Sequence, residues 1–211
     1  MKPPSNRSGT KAPPLETGLH PARCAMMAYI GTQEDDYKGT ISSKPKVVLG
    51  FEYPEDMHVF NEENGPQPYF KSKTYTFNLG TKANLRKDLE MWRGKKFEGD
   101  WPDFDITTVL GTSVQHNILE GEKEGSWYIG GFIKIKNQAD CPPLVGEPIC
   151  YDVREHDQEQ FERLPKWVKE AVEASPEWAE LHSDTDEQPA SKDVTDRKLV
   201  PEEEEEDDIP F

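Results

Sequence analysis

The chain has 211 residues and a net charge of −16, with 34% hydrophobic and 31% charged residues. That is enough for one folded domain plus tails, but too polar for every residue to join a core. It excludes a helical membrane span, since no apolar run is long enough. No secretory leader is expected, since Met1–Leu15 is polar and Pro-rich with no apolar core. Cys24, Cys141 and Cys150 form neither a disulfide framework nor a zinc site. Buried or idle thiols in a reducing cytoplasm are expected.

The acidity is uneven. Residues 1–151 carry 18 Lys+Arg and 20 Asp+Glu, a net −2, whereas residues 152–211 carry 7 and 21, a net −14. A nearly neutral front part can still present a basic surface. The densest basic cluster is Lys71–Lys96, with Lys71, Lys73, Lys82, Arg86, Lys87, Arg93, Lys95 and Lys96 against Asp88 and Glu90.

In chain order, residues 1–20 are Pro/Ser/Gly/Lys-rich and read as a flexible arm. Ala22–Gly31 alternates as a first strand. Ala22, Cys24, Met26, Ala28 and Ile30 lie on a core face, and Arg23 and Tyr29 on an open one. Gln33–Thr40 reads as a polar turn. Lys44–Tyr53 is a second strand, in which Gly50 marks a bulge or bend. Glu55–Pro68 reads as a loop. Lys71–Leu79 is a third strand with Lys73, Tyr75, Phe77 and Leu79 in one row.

Lys82–Arg93 reads as a helix, with Thr81 as N-cap, Gly94 as stop, and Leu85, Leu89 and Trp92 facing the core. Val109–Leu119 is a fourth strand and Trp127–Lys136 a fifth. On the fifth, Trp127, Ile129, Ile133 and Ile135 share one face, and Tyr128, Phe132, Lys134 and Lys136 the other. Strand, strand, strand, helix, strand, strand is the connectivity of the five-stranded OB barrel. The fold class expected is therefore all-β with one or two helices, an OB-fold domain over residues 21–151.

A Pro-rich connector from Cys141 carries a short extended segment, Glu147–Val153. An accessory helical segment follows over residues 152–174. Phe161, Leu164, Trp167, Val168 and Ala171 lie on one side of its helix, and Pro165 kinks or restarts it. It either packs on the barrel or mediates homo-oligomer formation. Residues 175–201 lack periodicity and read as a disordered linker. The chain ends in seven consecutive carboxylates, Glu202–Asp208, then Ile209, Pro210 and Phe211. An apolar tip on a self-repelling acidic strip suits docking: Phe211 fills a pocket and the acids steer towards a basic surface.

Asp207, Asp208, Ile209, Pro210 and Phe211 closely resemble the tip of bacterial and bacteriophage single-stranded DNA-binding proteins. That tip recruits replication, recombination and repair enzymes. Three further stretches are similar to a group of bacteriophage single-stranded DNA-binding proteins from replication and recombination modules. They are His20–Cys24 leading to Gly31-Thr32-Gln33, Lys46–Glu52, and Ser72–Leu79 followed by Asn84–Gly94. The N-terminal strand pattern of the cellular bacterial proteins is absent, so only the tip is carried over residue by residue. The resemblance implies a non-catalytic protein of the host cytoplasm that coats single strands and recruits partners through residues 202–211.

Binding single strands without reading sequence needs cations for phosphates and aromatic faces for bases. The candidates are Arg23 and Tyr29 on the first strand, Lys73, Tyr75 and Phe77 on the third, and Arg86 and Arg93 on the helix. Tyr128, Phe132 and Lys134 on the fifth strand complete the set. Tyr75 and Phe77 serve either core packing or stacking, while Trp92 and Trp127 belong to the core. No cofactor, metal or membrane contact is expected. Walker, dinucleotide-binding and nucleophile-elbow motifs are absent. Two alternatives remain: an acidic DNA mimic or adaptor, and a nuclease holding a metal at Asp100, Asp103 and Asp105. A loop capping the next element also explains that trio.

Overall fold

A computed structural model describes residues 13–37 and 39–183. Residues 1–12 of the expected arm, residues 184–201 of the linker, and the tip with Asp207, Asp208, Ile209, Pro210 and Phe211 lie outside the described residues, whereas Gly18–His20, read as the end of the arm, are strand. β1 (Gly18–Tyr37) and β2 (Thr40–Asn61) form a long antiparallel hairpin, and β3 (Gly65–Thr76) folds back on β2. Two expected connections are thus strand. Residues 33–37 pair with 40–44, and Met57, His58 and Asn61 pair with Pro68, Gln67 and Gly65. Pairing with a neighbouring strand satisfies backbone groups that composition alone assigns to turns.

Helix α1 (Asn84–Arg93) follows, then β4 (Ser113–Glu120), β5 (Trp127–Ile133) and β6 (Ile149–Asp152). The sheet order is β3-β2-β1-β4-β5, with β6 added in parallel on β1. The protein is therefore mostly β, built on one six-stranded sheet. The ladder is not closed: no backbone pairing joins β3 to β5 among the described residues.

α1 begins two residues later than expected and ends where expected. Ala83, not Thr81, precedes it and supplies no side-chain cap. Gly94 is left-handed (φ 63°), and the N–H groups of Gly94 and Lys95 donate to Met91 and Glu90 carbonyls. Leu85, Leu89 and Trp92 are buried against the sheet, as their spacing predicts.

Two cores flank β1. The first lies inside the curled sheet and holds Ala22, Cys24, Met27, Val47, Leu49, Phe51, Tyr53, Tyr75, Ile118 and the α1 stripe. The second holds Met26, Ala28, Ile30 and Val48 beneath the C-terminal helices. The even positions of β1 therefore do not share one face. Cys24 pairs with Phe51 but Met26 with Gly50, so Ala25 is an extra residue that reverses the inward phase. A second irregularity, between Tyr29 and Thr32, contains Gly31 at φ 74°.

β5 is rephased in the same way. Asn117 pairs with Gly131 and Ile118 with Ile129, leaving Gly130 as the extra residue. Trp127 and Ile129 face inward before it and Phe132 after it, while Ile133 turns outward. Phe132 thus joins the core rather than the open face shared with Tyr128.

The C-terminal segment forms α2 (Gln158–Arg163), α3 (Lys166–Glu173) and α4 (Pro176–Ser183). Pro165 divides the first two. α4 occupies the start of the expected linker: Ser175 Oγ accepts from Trp178 N at 3.2 Å, and Pro176 sits at the first helical position. Phe161, Leu164, Val168 and Val172 pack onto the second core, whereas Trp167 faces outward. No helix among the described residues is long and apolar enough to cross a membrane.

His116 is fully buried between the rings of Phe51 and Phe132, each 4.6 Å away centre to centre, and is hydrogen-bonded through Nδ1 to Tyr53 Oη at 2.9 Å. Burial, with Lys73 nearby, pushes its pKa from 6.5 down to about 3. The unfolded chain therefore takes up a proton below pH 6.5 that the folded chain refuses, so stability is full above that value and falls below it. Each pH unit below the unfolded pKa costs up to about 1.4 kcal/mol. Replacing His116 by Gln, which keeps a partner for Tyr53, is expected to flatten the loss of stability between about pH 6.5 and pH 5, measured by urea denaturation.

Candidate nucleic-acid interface

β3 and β5, the sheet edges, face each other through side chains. Lys71 Nζ lies 4.6 Å from the Trp127 ring centre, and Lys73 Nζ lies 5.2 Å from that of Phe132. Tyr69 and Trp127 meet edge to face at 6.4 Å. At one end of this seam is an open cleft of about 620 Å³, between the β2–β3 hairpin and the β4–β5 turn. Phe60, Tyr69, Phe70, Lys71 and Trp127 line it. The Phe70 ring lies over Gly50, beside Met26 of the second core, where a Cβ would collide with the ring and come within 3.0 Å of Met26 Cβ. Burial lowers the pKa of Lys71.

At the other end of β3 is a groove of about 700 Å³ between the sheet and α1. Lys44, Lys46, Lys73, Lys82 and Lys87 line it against one carboxylate, Asp88. Asp88 accepts from Lys73 Nζ at 2.6 Å and from Tyr75 Oη at 2.7 Å, and burial raises the pKa of Tyr75 further than that contact does. Lys46 pairs with Asp35 at 2.5 Å, with Lys44 at 3.8 Å from the same carboxylate. Lys82 and Lys87 are exposed and form no ion pair among the described residues. Ala83, Asn84 and Leu85 line the same groove, so the uncapped N–H groups of α1 add to its positive end. Past Met91 the surface continues into a depression bordered by Lys87, Lys95 and Lys96.

The residues singled out from sequence divide sharply. Lys73 and Tyr75 lie in the groove, Tyr75 as buried floor. Tyr128 is 48% exposed and Lys134 is exposed on the far edge. Arg23 is a structural tether. Its guanidinium donates to the carbonyls of Gly111, Gln138, Cys141 and Pro142, leaving no fork for a phosphate. Arg86 is another. It is buried and donates to Glu90 and to the Leu79, Phe97 and Asp100 carbonyls.

Arg93 stacks between Phe97 and Phe104, its Cζ 4.3 and 4.7 Å from their ring centres, and its Nη1 is buried without a partner. Tyr29 is covered by α4, with Phe77 against its ring at 5.5 Å and Glu177 accepting from its hydroxyl at 3.3 Å. Phe77 bridges the two cores. Phe132 is core. The aromatic cleft was not legible because Phe60 lies within, and Tyr69 directly after, the segment Glu55–Pro68 read as a loop. The signal available was the doublet of aromatics beside a cation, Tyr69-Phe70-Lys71.

Asp105 is an N-cap, accepting from Thr107 N at 2.9 Å and Thr107 Oγ1 at 2.7 Å, which lowers its pKa. Among the described residues no group of three His, Cys, Asp or Glu gathers to hold a metal ion. Burial raises the Cys24 thiol to about 12, so it is inert as a nucleophile. No protein-family model matches the chain, and no curated protein matches it closely enough to count as a relative.

The neighbours Arg86 and Lys87 should respond oppositely to mutation. Arg86→Lys cannot reach all four oxygens and is expected to cost about 2 kcal/mol. Lys87→Gln, fully solvated, should stay within about 0.5 kcal/mol of the parent. Urea midpoints at constant slope measure both.

Proposed function

We propose that this protein binds single-stranded DNA without sequence preference and without catalysis, through the lysine groove and the aromatic cleft at the two ends of β3. The observation that carries this reading is the groove itself. Five lysines and an uncapped helix start meet on one side of a folded body that is otherwise acidic, since residues 13–183 carry 19 Lys+Arg and 29 Asp+Glu, a net −10. Among the described residues Lys82 and Lys87 form no ion pair. Aromatic side chains beside the cations supply the faces that bases need.

The sheet order also supports it. β3-β2-β1-β4-β5, with a helix between β3 and β4, is the OB order unrolled at the β3–β5 seam. Cation–ring contacts bridge that seam where a closed barrel has a ladder. On this reading β6 and the C-terminal helices are additions that cover the outer face of β1. The acidic tip, as its resemblance implies, recruits replication and recombination enzymes in a bacterial host cytoplasm. It also competes with DNA for the groove.

Two measurements test this. Lys82→Gln combined with Lys87→Gln should weaken binding to an oligo-dT strand. It should also reduce the slope of log affinity against log salt by about 1.4, since each phosphate contact on a single strand contributes about 0.7. An unchanged slope removes the groove from the interface. Deleting Glu202–Phe211 should tighten binding most at low salt, where carboxylates and phosphates compete hardest. Equal affinity at every ionic strength would show that the tip does not occupy the groove.

A further inference from the structure

Trp101 is 73% exposed, more than any other large hydrophobic side chain among the described residues. A single exposed apolar side chain is ordinary on a protein surface and usually sits on a mobile loop. Its loop is nonetheless fixed. Arg86 holds the carbonyls of Phe97 at 3.1 Å and Asp100 at 3.0 Å, tying residues 97–100 to the end of β3 through Leu79. Gly80 makes room for the ring, since a Cβ there would lie 3.2 Å from Trp101 Cη2. The indole borders a depression of about 340 Å³ whose opposite wall includes Lys82. Lys82, with Asn78 and Ala83, also lines the lysine groove, so the two spaces adjoin across these residues.

We propose that Trp101 is a stacking platform for an unpaired base of a strand whose backbone follows the lysine groove past Lys82. This rests on the strand-binding reading above. The ligand class follows from the pairing of an open aromatic face with a solvated cation. A base lies flat on the indole while the adjoining phosphate meets the ammonium. A duplex keeps its base faces inside the stack and so could not offer one to the indole. Gly80 and Arg86 act as positioning residues, one by leaving space and the other by holding the loop.

The test uses the full chain with Trp101→Ala, Trp101→Phe and the parent. Each is titrated by fluorescence anisotropy against labelled oligo-dT of about 15 nucleotides, an abasic strand of equal length, and a duplex. Trp101→Ala should lose about tenfold in affinity for oligo-dT and almost nothing for the abasic strand. Trp101→Phe should keep most of the parent affinity. If the parent prefers oligo-dT to duplex and Trp101→Ala matches it, the platform is wrong and the strand-binding reading stands. Equal loss on oligo-dT and the abasic strand would make Trp101 a structural residue and overturn the platform. If the parent binds neither strand, both the reading and the platform fall.

Discussion

The structure depends on β1 being buried on both faces. It pairs with β2, β4 and β6 and separates two cores. A strand in that position cannot alternate apolar and polar residues, and between Met26 and Ile30 it does not. The extra residue at Ala25 hands the inward role from Cys24 to Met27, freeing Met26 and Ala28 for the helices outside. Gly31 then closes the arrangement. Its left-handed φ leaves no space for a side chain, because Glu177 and Ser175 stand where a Cβ would go. Glu177 accepts from Thr32 N at 2.8 Å and Thr32 Oγ1 at 2.8 Å. Burial would raise its pKa, but these bonds outweigh burial and hold it below the ordinary value. The C-terminal helices are thus part of the domain's construction.

That construction explains why the candidate interface lies where it does. With the outer face of β1 covered and the inner face filled, the candidate surface lies on the β2–β3 hairpin, the β3–β5 seam and the α1 flank. An open edge is a hazard in a β protein. Here the seam is occupied by Lys71 over Trp127 and Lys73 over Phe132. These contacts place cations along the path between the aromatic cleft and the lysine groove. What holds the sheet edges together and what is proposed to meet a nucleic acid strand are therefore partly the same side chains.

Element order, the α1 stripe and the Gly94 stop were legible in the sequence because each depends on local chemistry. The faces of β1 and β5 were not, since one inserted residue reverses every assignment beyond it. Gly50 did signal an irregularity, but the extra residue sits opposite, at Ala25. Ser175-Pro176 opens α4 within a stretch read as linker by its acidity. The basic cluster was legible as a density of charge, but the groove it helps to form was not. Lys44 and Lys46, distant in sequence, complete its groove through pairing with β3, while Arg86 and Arg93 turn away from it.

The division between arginine and lysine has a physical reason. A guanidinium offers several fixed donors and tolerates dehydration, so Arg23 and Arg86 can each gather carbonyls from segments far apart in the chain. An ammonium is strongly hydrated and rides a flexible stem, which suits a surface that must meet phosphates without fixed geometry. A protein that read particular bases would need forks left free, since bidentate contacts to base edges carry that discrimination. Arg23 and Arg86 are already saturated with carbonyls, and the groove is lined by lysine alone among the cations. This arrangement favours contact with a backbone over recognition of a sequence, in keeping with the absence of sequence preference in the proposed function.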